Sequence, residues 1–196
     1  ATTTVQANVP PVVALNAVTA ILEDGTATLS GTVTDPGTGD TFTVEIDWGD
    51  SSGVQTITLP ASAVGSQPFM LTHQDLDDEP TATASDSYTI TATATDNNSG
   101  TGSMTTTVQV DNVAPVVALT ATNAIACEGT NPGDQVTISG AFVDQGTADT
   151  HTVTVNWGDG TSSNSVTNPG DFSLLNIGGG GSGSFVGSHQ YLTGGI

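Results

Sequence analysis

The residues with the most chemistry to offer in this chain are carboxylates, and they fall in short clusters. These are Glu23 and Asp24; Asp75, Asp77, Asp78 and Glu79; Asp111 with Asn112; and Asp144 with Asp149. Oxygen ligands in number, without an accompanying Cys or His cluster, suit a hard divalent cation and select calcium, which takes six to eight oxygens, over zinc. The chain contains 20 Asp and Glu and no Lys or Arg, a formal charge of −20. Apart from a protonated His, only solvent counterions or bound metal can balance these carboxylates. The bland alternative is that acidic loops simply solvate the surface of a soluble protein. The charge balance excludes nucleic acid as a partner, because phosphate neutralisation needs basic residues. It also disfavours an anionic membrane surface, and no apolar run has transmembrane length.

Other reactive residue types carry less. His73, His151 and His189 fall on rows with the periodicity of a strand's inward face, which suits packing better than catalysis. No Ser-His-Asp order or buried carboxylate pair emerges. Gly178–Gly183, GGGGSG, lacks the Lys-Ser/Thr of a phosphate loop and reads as a flexible turn. Cys127 is the single cysteine, so no intramolecular disulfide can form. Asn97-Asn98-Ser99 is a formal glycosylation sequon.

The elements that must position the acids are strands. Phe42, Val44, Ile46 and Trp48 alternate with Thr41, Thr43, Glu45 and Asp47, and the run breaks at Gly49-Asp50; His151, Val153, Val155 and Trp157 repeat the pattern before Gly158-Asp159. Trp48 and Trp157 therefore mark the cores of two domains, since a buried Trp supplies a large share of the apolar area in a small β domain. Two further segment pairs recur in the same order: Asn8–Leu15 with Asn112–Leu119, and Thr72–Leu76 with Ser188–Leu192. Two tandem copies follow. Residues 7–111 form the first repeat and 112–196 the second, which lacks the counterpart of the last two strands; Ala1–Gln6 matches Met104–Gln109 and reads as the last strand of a preceding repeat.

In the first repeat, strands are expected near 11–15, 26–34, 41–48, 53–59, 67–73, 87–95 and 104–110, separated by Gly, Pro, Asp and Asn turns. Seven short alternating strands predict an all-β chain of tandem immunoglobulin-like antiparallel β-sandwiches. Leu29, Val33, Val44, Ile46, Trp48, Tyr88, Ile90, Val108 and Val110 form the expected core; Val136, Ile138, Phe142, Val153, Val155 and Trp157 are their counterparts. Alternating strand directions send Glu23, Asp24, Asp50, Asp75, Asp77, Asp78 and Glu79 to one pole of the first sandwich. Linker residues Asp111 and Asn112 join them, as do Asp144 and Asp149 from the facing pole of the second. An inter-domain calcium site is the expectation. Asp35, Asp40 and Asp96, with Asn8, form the opposite pole of the first sandwich and a weaker site, since Ala7 stands where the linker has Asp111.

The runs Asp-Trp-Gly-Asp and Asn-Trp-Gly-Asp-Gly, the later Ser/Thr-His-Gln, the strand Tyr-Thr-Ile-Thr-Ala-Thr-Ala-Thr-Asp and the Asn-Val-Ala-Pro junction together resemble the polycystic-kidney-disease (PKD) type repeat. Departures are Ser51 where that motif prefers Gly, the acidic insert Asp75–Asp86 and the missing end of the second copy. The resemblance implies an Ig-like module of bacterial extracellular and cell-surface proteins. The expected function is a structural repeat of a stalk, fibre or adhesin with calcium as cofactor, and not an enzyme. Its partners are neighbouring repeats of the same chain or like subunits joined head to tail. The alternative is an accessory module of a secreted enzyme that binds a glycan or a surface protein.

Overall fold

The computed structural model describes residues 7–37, 39–61, 65–74, 77–78, 83–121, 135–165, 172–178 and 181–191. The expectations placed on Ala1–Gln6, Asp75, Glu79, Cys127 and Leu192 lie outside these residues. The chain divides into two compact units, Ala1–Asn112 and Val113–Ile196.

The first unit contains β1 (Val12–Leu15), β2 (Ile21–Leu22), β3 (Thr26–Thr34), β4 (Phe42–Asp47), β5 (Val54–Leu59), β6 (Ser66–Gln74), β7 (Ser85–Asp96) and β8 (Thr101–Asp111). They form a three-stranded sheet in the order β1-β3-β6 and a five-stranded sheet in the order β2-β8-β7-β4-β5. Every pairing is antiparallel except β2 with β8, where Ile21 faces Val110 and Leu22 faces Asp111. This is an all-β, immunoglobulin-like sandwich. The period-two alternation that makes these strands also makes the core: Leu29 and Val33 from one sheet meet Val44, Ile46, Ile90, Val108 and Val110 from the other, with Trp48 closing the end of β4. Tyr88, expected inside, is half-buried because its hydroxyl donates to the Asp77 carbonyl oxygen. β2 was not expected, since two residues are too short to show a period; its pairing with β8 makes it a strand.

The second unit contains β9 (Val116–Ala121), β10 (Gln135–Val143), β11 (Thr154–Asn156), β12 (Ser162–Asn164), β13 (Phe172–Gly178) and β14 (Ser182–Gln190). β13-β14-β10-β9 form one sheet and β11-β12 another. Part of the glycine run expected as a turn is strand: Gly178 ends β13, Gly183 lies in β14 opposite Phe142, and the turn retains Gly181 with φ of +66°.

One packing device recurs in both units. Gly31 pairs across the sheet with Phe69, and Gly140 with Phe185. A Cβ on Gly31 would stand 2.8 Å from Phe69 Cζ and 2.5 Å from the Ala14 carbonyl oxygen; on Gly140 it would stand 2.5 Å from Phe185 Cζ. The phenyl ring fills the space the glycine leaves.

The units differ in how their cores are covered. β4 pairs with β5 on one edge and with β7 on the other. Its counterpart β11 pairs, among the described residues, with β12 alone. Val13 is 6% exposed beneath β7 and β8, whereas the equivalent Val117 is 57% exposed. Consequently Val136, Ile138, Val153 and Val155 are half-buried rather than enclosed, while Phe142 and Trp157 are buried. A groove of about 340 Å³ opens there, lined by Val117, Leu119, Ile138, Phe142, Val153 and Val155 among others.

Candidate metal centre

At one pole of the first unit, the chain leaves β2 through a tight turn in which the Gly25 amide donates to Leu22 O at 2.9 Å and Asp24 takes a positive φ of 57°. The Glu23 amide donates to Asp111 O at 3.1 Å, which extends the β2–β8 ladder by one bond and fixes where Glu23 stands. The Asp77-Asp78 segment arrives from the other side, tied down by the Tyr88 hydroxyl on Asp77 O. Carboxylate oxygens of Glu23 and Asp78 lie within 4.8 Å of one another, and both side chains are buried. Neither oxygen of Asp78 has a hydrogen-bond partner.

The remaining expected ligands of this unit are placed differently. Asp24 is exposed, with Gln74 Nε2 at 3.4 Å from its carboxylate. Asp111 Oδ1 accepts from Gln109 Nε2 at 2.6 Å, and Asn112 donates from its backbone to Ala84 O at 3.2 Å. Asp77 is half-buried.

The opposite pole gathers Asn8, Asp35, Asp40 and Asp96. Asp96 is fully used: it accepts from Asn8 Nδ2 at 2.9 Å, from the Asn98 amide at 2.8 Å and from the Gly100 amide at 2.7 Å. Burial works to raise this carboxyl, but the three donors outweigh it and hold Asp96 below the usual carboxylate range. Asp35 accepts from the Gly37 amide through Oδ1, and its buried Oδ2 has no partner. Gly37 separates two carboxylates, since a Cβ there would meet Asp40 Oδ2 at 2.0 Å and Asp35 Oδ1 at 3.0 Å. Asn8, Asp35 and Asp40 line a polar cavity of about 380 Å³.

In the second unit, ligand atoms of Asp144, Asp149 and His151 lie within 4.8 Å of one another. His151 Nε2 is 2.8 Å from Asp144 Oδ2, and its ring packs on Phe142 with centroids 4.5 Å apart. His151 occupies the place of Phe42 and packs as expected, yet it also contacts a carboxylate.

The sequence reading missed a pattern common to both units. The His73 ring stacks on Trp48 with centroids 4.9 Å apart, and its Nε2 lies 2.7 Å from Asp50 Oδ2; His189 stacks on Trp157 at 4.9 Å and lies 2.9 Å from Asp159. Each aspartate also accepts from a hydroxyl two residues on, Ser52 or Thr161, at 2.6 Å. Burial raises the Asp50 carboxyl, while Ser52 and His73 together hold it below its ordinary value. The Thr161 hydroxyl, with His189 and the Thr161 amide, lowers Asp159 to about 2. The signal available in the sequence was the shared Asp-x-Ser/Thr spacing. These sets are not catalytic relays. A serine nucleophile and its orienting acid must use opposite nitrogens of the imidazole, but Ser52 and Asp50 both face His73 Nε2.

No protein-family model and no curated protein matches the chain. Among solved structures it is similar to the PKD domain of an M14-like peptidase from Thermoplasmatales archaeon SCGC AB-540-F20, at 23% identity and a TM-score of 0.37, over 54% of this chain and 97% of that domain. Among the described residues, no helix is long and apolar enough to cross a membrane.

Proposed function

We propose that the chain is a structural module of an extracellular, cell-surface array, a stalk, fibre or adhesin shaft, stiffened by calcium where repeats meet. The observation that carries this reading is the contrast between Val13 and Val117. Among the described residues, one strand face is roofed by two strands in the first unit and is open in the second, an arrangement that fits a sandwich taking strands from a neighbouring repeat or a like subunit. Calcium fits the oxygen-rich poles and the absence of Lys and Arg. The ligands are drawn from Glu23, Asp24, Asp77, Asp78, Asp111 and Asn112, with Asp144 and Asp149 from the second unit.

The module is non-catalytic in this reading, because the histidine sets lack relay geometry. The competing role, a glycan- or protein-binding accessory of a secreted enzyme, needs exposed aromatic platforms, and both tryptophans are buried. Small-angle X-ray scattering of the chain in chelator and in millimolar calcium tests the proposal. A rod-like particle that becomes less flexible with calcium is expected. A compact, bent pair in calcium, or hits on a glycan array, would favour the accessory role.

A further inference from the structure

We infer that Glu23 and Asp78 form a buried divalent-cation site belonging to the first unit, and that Asp78 is its indispensable ligand. The inference rests on the calcium reading above and gives it a location. Asp78 is 1% exposed, as is Glu23. Both oxygens of Asp78 are buried without a hydrogen-bond donor, and one of them lies within 4.8 Å of a Glu23 carboxylate oxygen.

Such an arrangement is untenable for a bare pair. An ionised carboxylate taken from water without a donor or a counter-charge is among the costliest groups a protein can bury, and a second one nearby adds repulsion. The chain cannot supply the missing cation. It has no Lys or Arg, and its three histidines face Asp50, Asp144 and Asp159.

A divalent ion resolves each of these problems at once. Two oxygens bound to one calcium at about 2.3–2.6 Å stand no more than about 5 Å apart, so the pair is within reach of a single ion, and its two charges neutralise it. The ligands arrive from segments fixed independently of the ion. Glu23 is held by its amide on Asp111 O and by the β2–β8 pairing, and the Asp77-Asp78 segment by Tyr88. Here the two-residue strand β2 gains a purpose, because it delivers Glu23 to the pole beside β8. Backbone carbonyls and water would complete the coordination shell.

The test compares the whole chain with its D78N, E23Q and E45Q variants by calorimetric calcium titration and by thermal unfolding in chelator and in millimolar calcium. Asparagine preserves shape and removes charge, so D78N makes two opposite predictions. In chelator it unfolds at or above the wild-type temperature, because one of two facing charges is gone. In calcium it loses the stabilisation of the first unit, and the dissociation constant weakens at least tenfold. E23Q follows the same pattern, whereas E45Q, exposed on β4, keeps the wild-type response.

Equal calcium responses in D78N and wild type would overturn the site, as would a wild type indifferent to calcium. A D78N variant destabilised equally in both conditions would make Asp78 an ordinary packing residue and overturn it too. The scattering experiment separates this from the array reading. A calcium-independent rod leaves the spacer standing without the site, and a compact particle whose calcium response depends on Asp78 leaves the site standing without the spacer.

Discussion

Asp50→Ala should destabilise the first unit by about 3 kcal/mol. The carboxylate is 6% exposed and accepts from the Ser52 hydroxyl at 2.6 Å and the Ser52 amide at 3.1 Å, with His73 Nε2 at 2.7 Å. Hydrogen bonds to a charged group contribute about 1.5–3 kcal/mol each, neutral ones about 0.5–1.5, and partners left without an acceptor add their own penalty. Asp50→Asn keeps an oxygen for Ser52 and should cost about half as much. Asp47→Ala, in the same turn but exposed and, among the described residues, accepting the Gly49 amide, should cost no more than about 1 kcal/mol. Hydrogen exchange across β4 and β5 under denaturant localises the effect to this unit. The pH dependence follows from the lowered carboxyl. A carboxylate depressed in the folded state contributes stability above its unfolded value, about 3.9, and loses it as the pH falls through the folded value. The gap between wild type and Asp50→Asn should therefore narrow as the pH falls from about 4.5 toward 2.5. A cost under about 0.5 kcal/mol for Asp50→Ala, or a gap unchanged at pH 2.5, would refute the reasoning.

Val13→Ala removes buried methyl groups and should cost about 2 kcal/mol, whereas Val117→Ala at the equivalent, open position should cost under about 1 kcal/mol by urea denaturation; equal costs would mean that the second unit's groove is covered in solution. Gly31→Ala drives a Cβ against the backbone oxygen of Ala14 and should cost about 2–3 kcal/mol, more than Gly140→Ala, whose shortest contact is with a phenyl ring tip; the reverse order in melting temperature would overturn this account. His151→Phe installs the first unit's residue in the second. It should keep the packing against Phe142 with little loss of stability by urea denaturation, and a large loss would show that the Asp144 contact dominates.

The strands of the first unit were legible because each buried row keeps period two over at least four residues, as in Phe42, Val44 and Ile46. The expected seven strands fall on β1 and β3–β8 with ends displaced by a few residues. β2 was invisible because its identity comes from a parallel contact with β8, some ninety residues away, and carries no local period. The half-open core of the second unit follows from the same principle. Its residues have the right pattern, but burial depends on what lies above them, and periodicity cannot report whether a covering strand is present. The candidate site was legible only as a pole. Direction of travel along each strand assigned the acids to an end of the sandwich, but could not say that Glu23 would meet Asp78 while Asp24, its immediate neighbour, turned outward. That choice is made by a positive φ at Asp24 and a backbone bond to Asp111. The histidines were half legible: their inward rows indicated packing, and the aspartate that each one contacts belongs to a different strand or turn.

A chain without lysine or arginine has few ways to place a carboxylate inside. The two units use two of them, and the proposed cation site would be a third. Where backbone amides and an amide side chain converge, as at Asp96, donors alone suffice and the carboxyl is held below its ordinary range. Where an imidazole can be brought in, it stands against the acid. At the Asp35 pole of the first unit the corresponding position is Phe42, and the buried Oδ2 of Asp35 has no partner; at the equivalent pole of the second, His151 faces Asp144. Where neither donors nor imidazole reach, as at Asp78, the proposed cation would meet the charge. The demand for metal is thus set residue by residue, by which carboxylates the fold leaves without donors, and the total of −20 is a poor guide to it. On that logic the proposed calcium would act chiefly through Asp78 in the first unit, while in the second His151 already stands against Asp144.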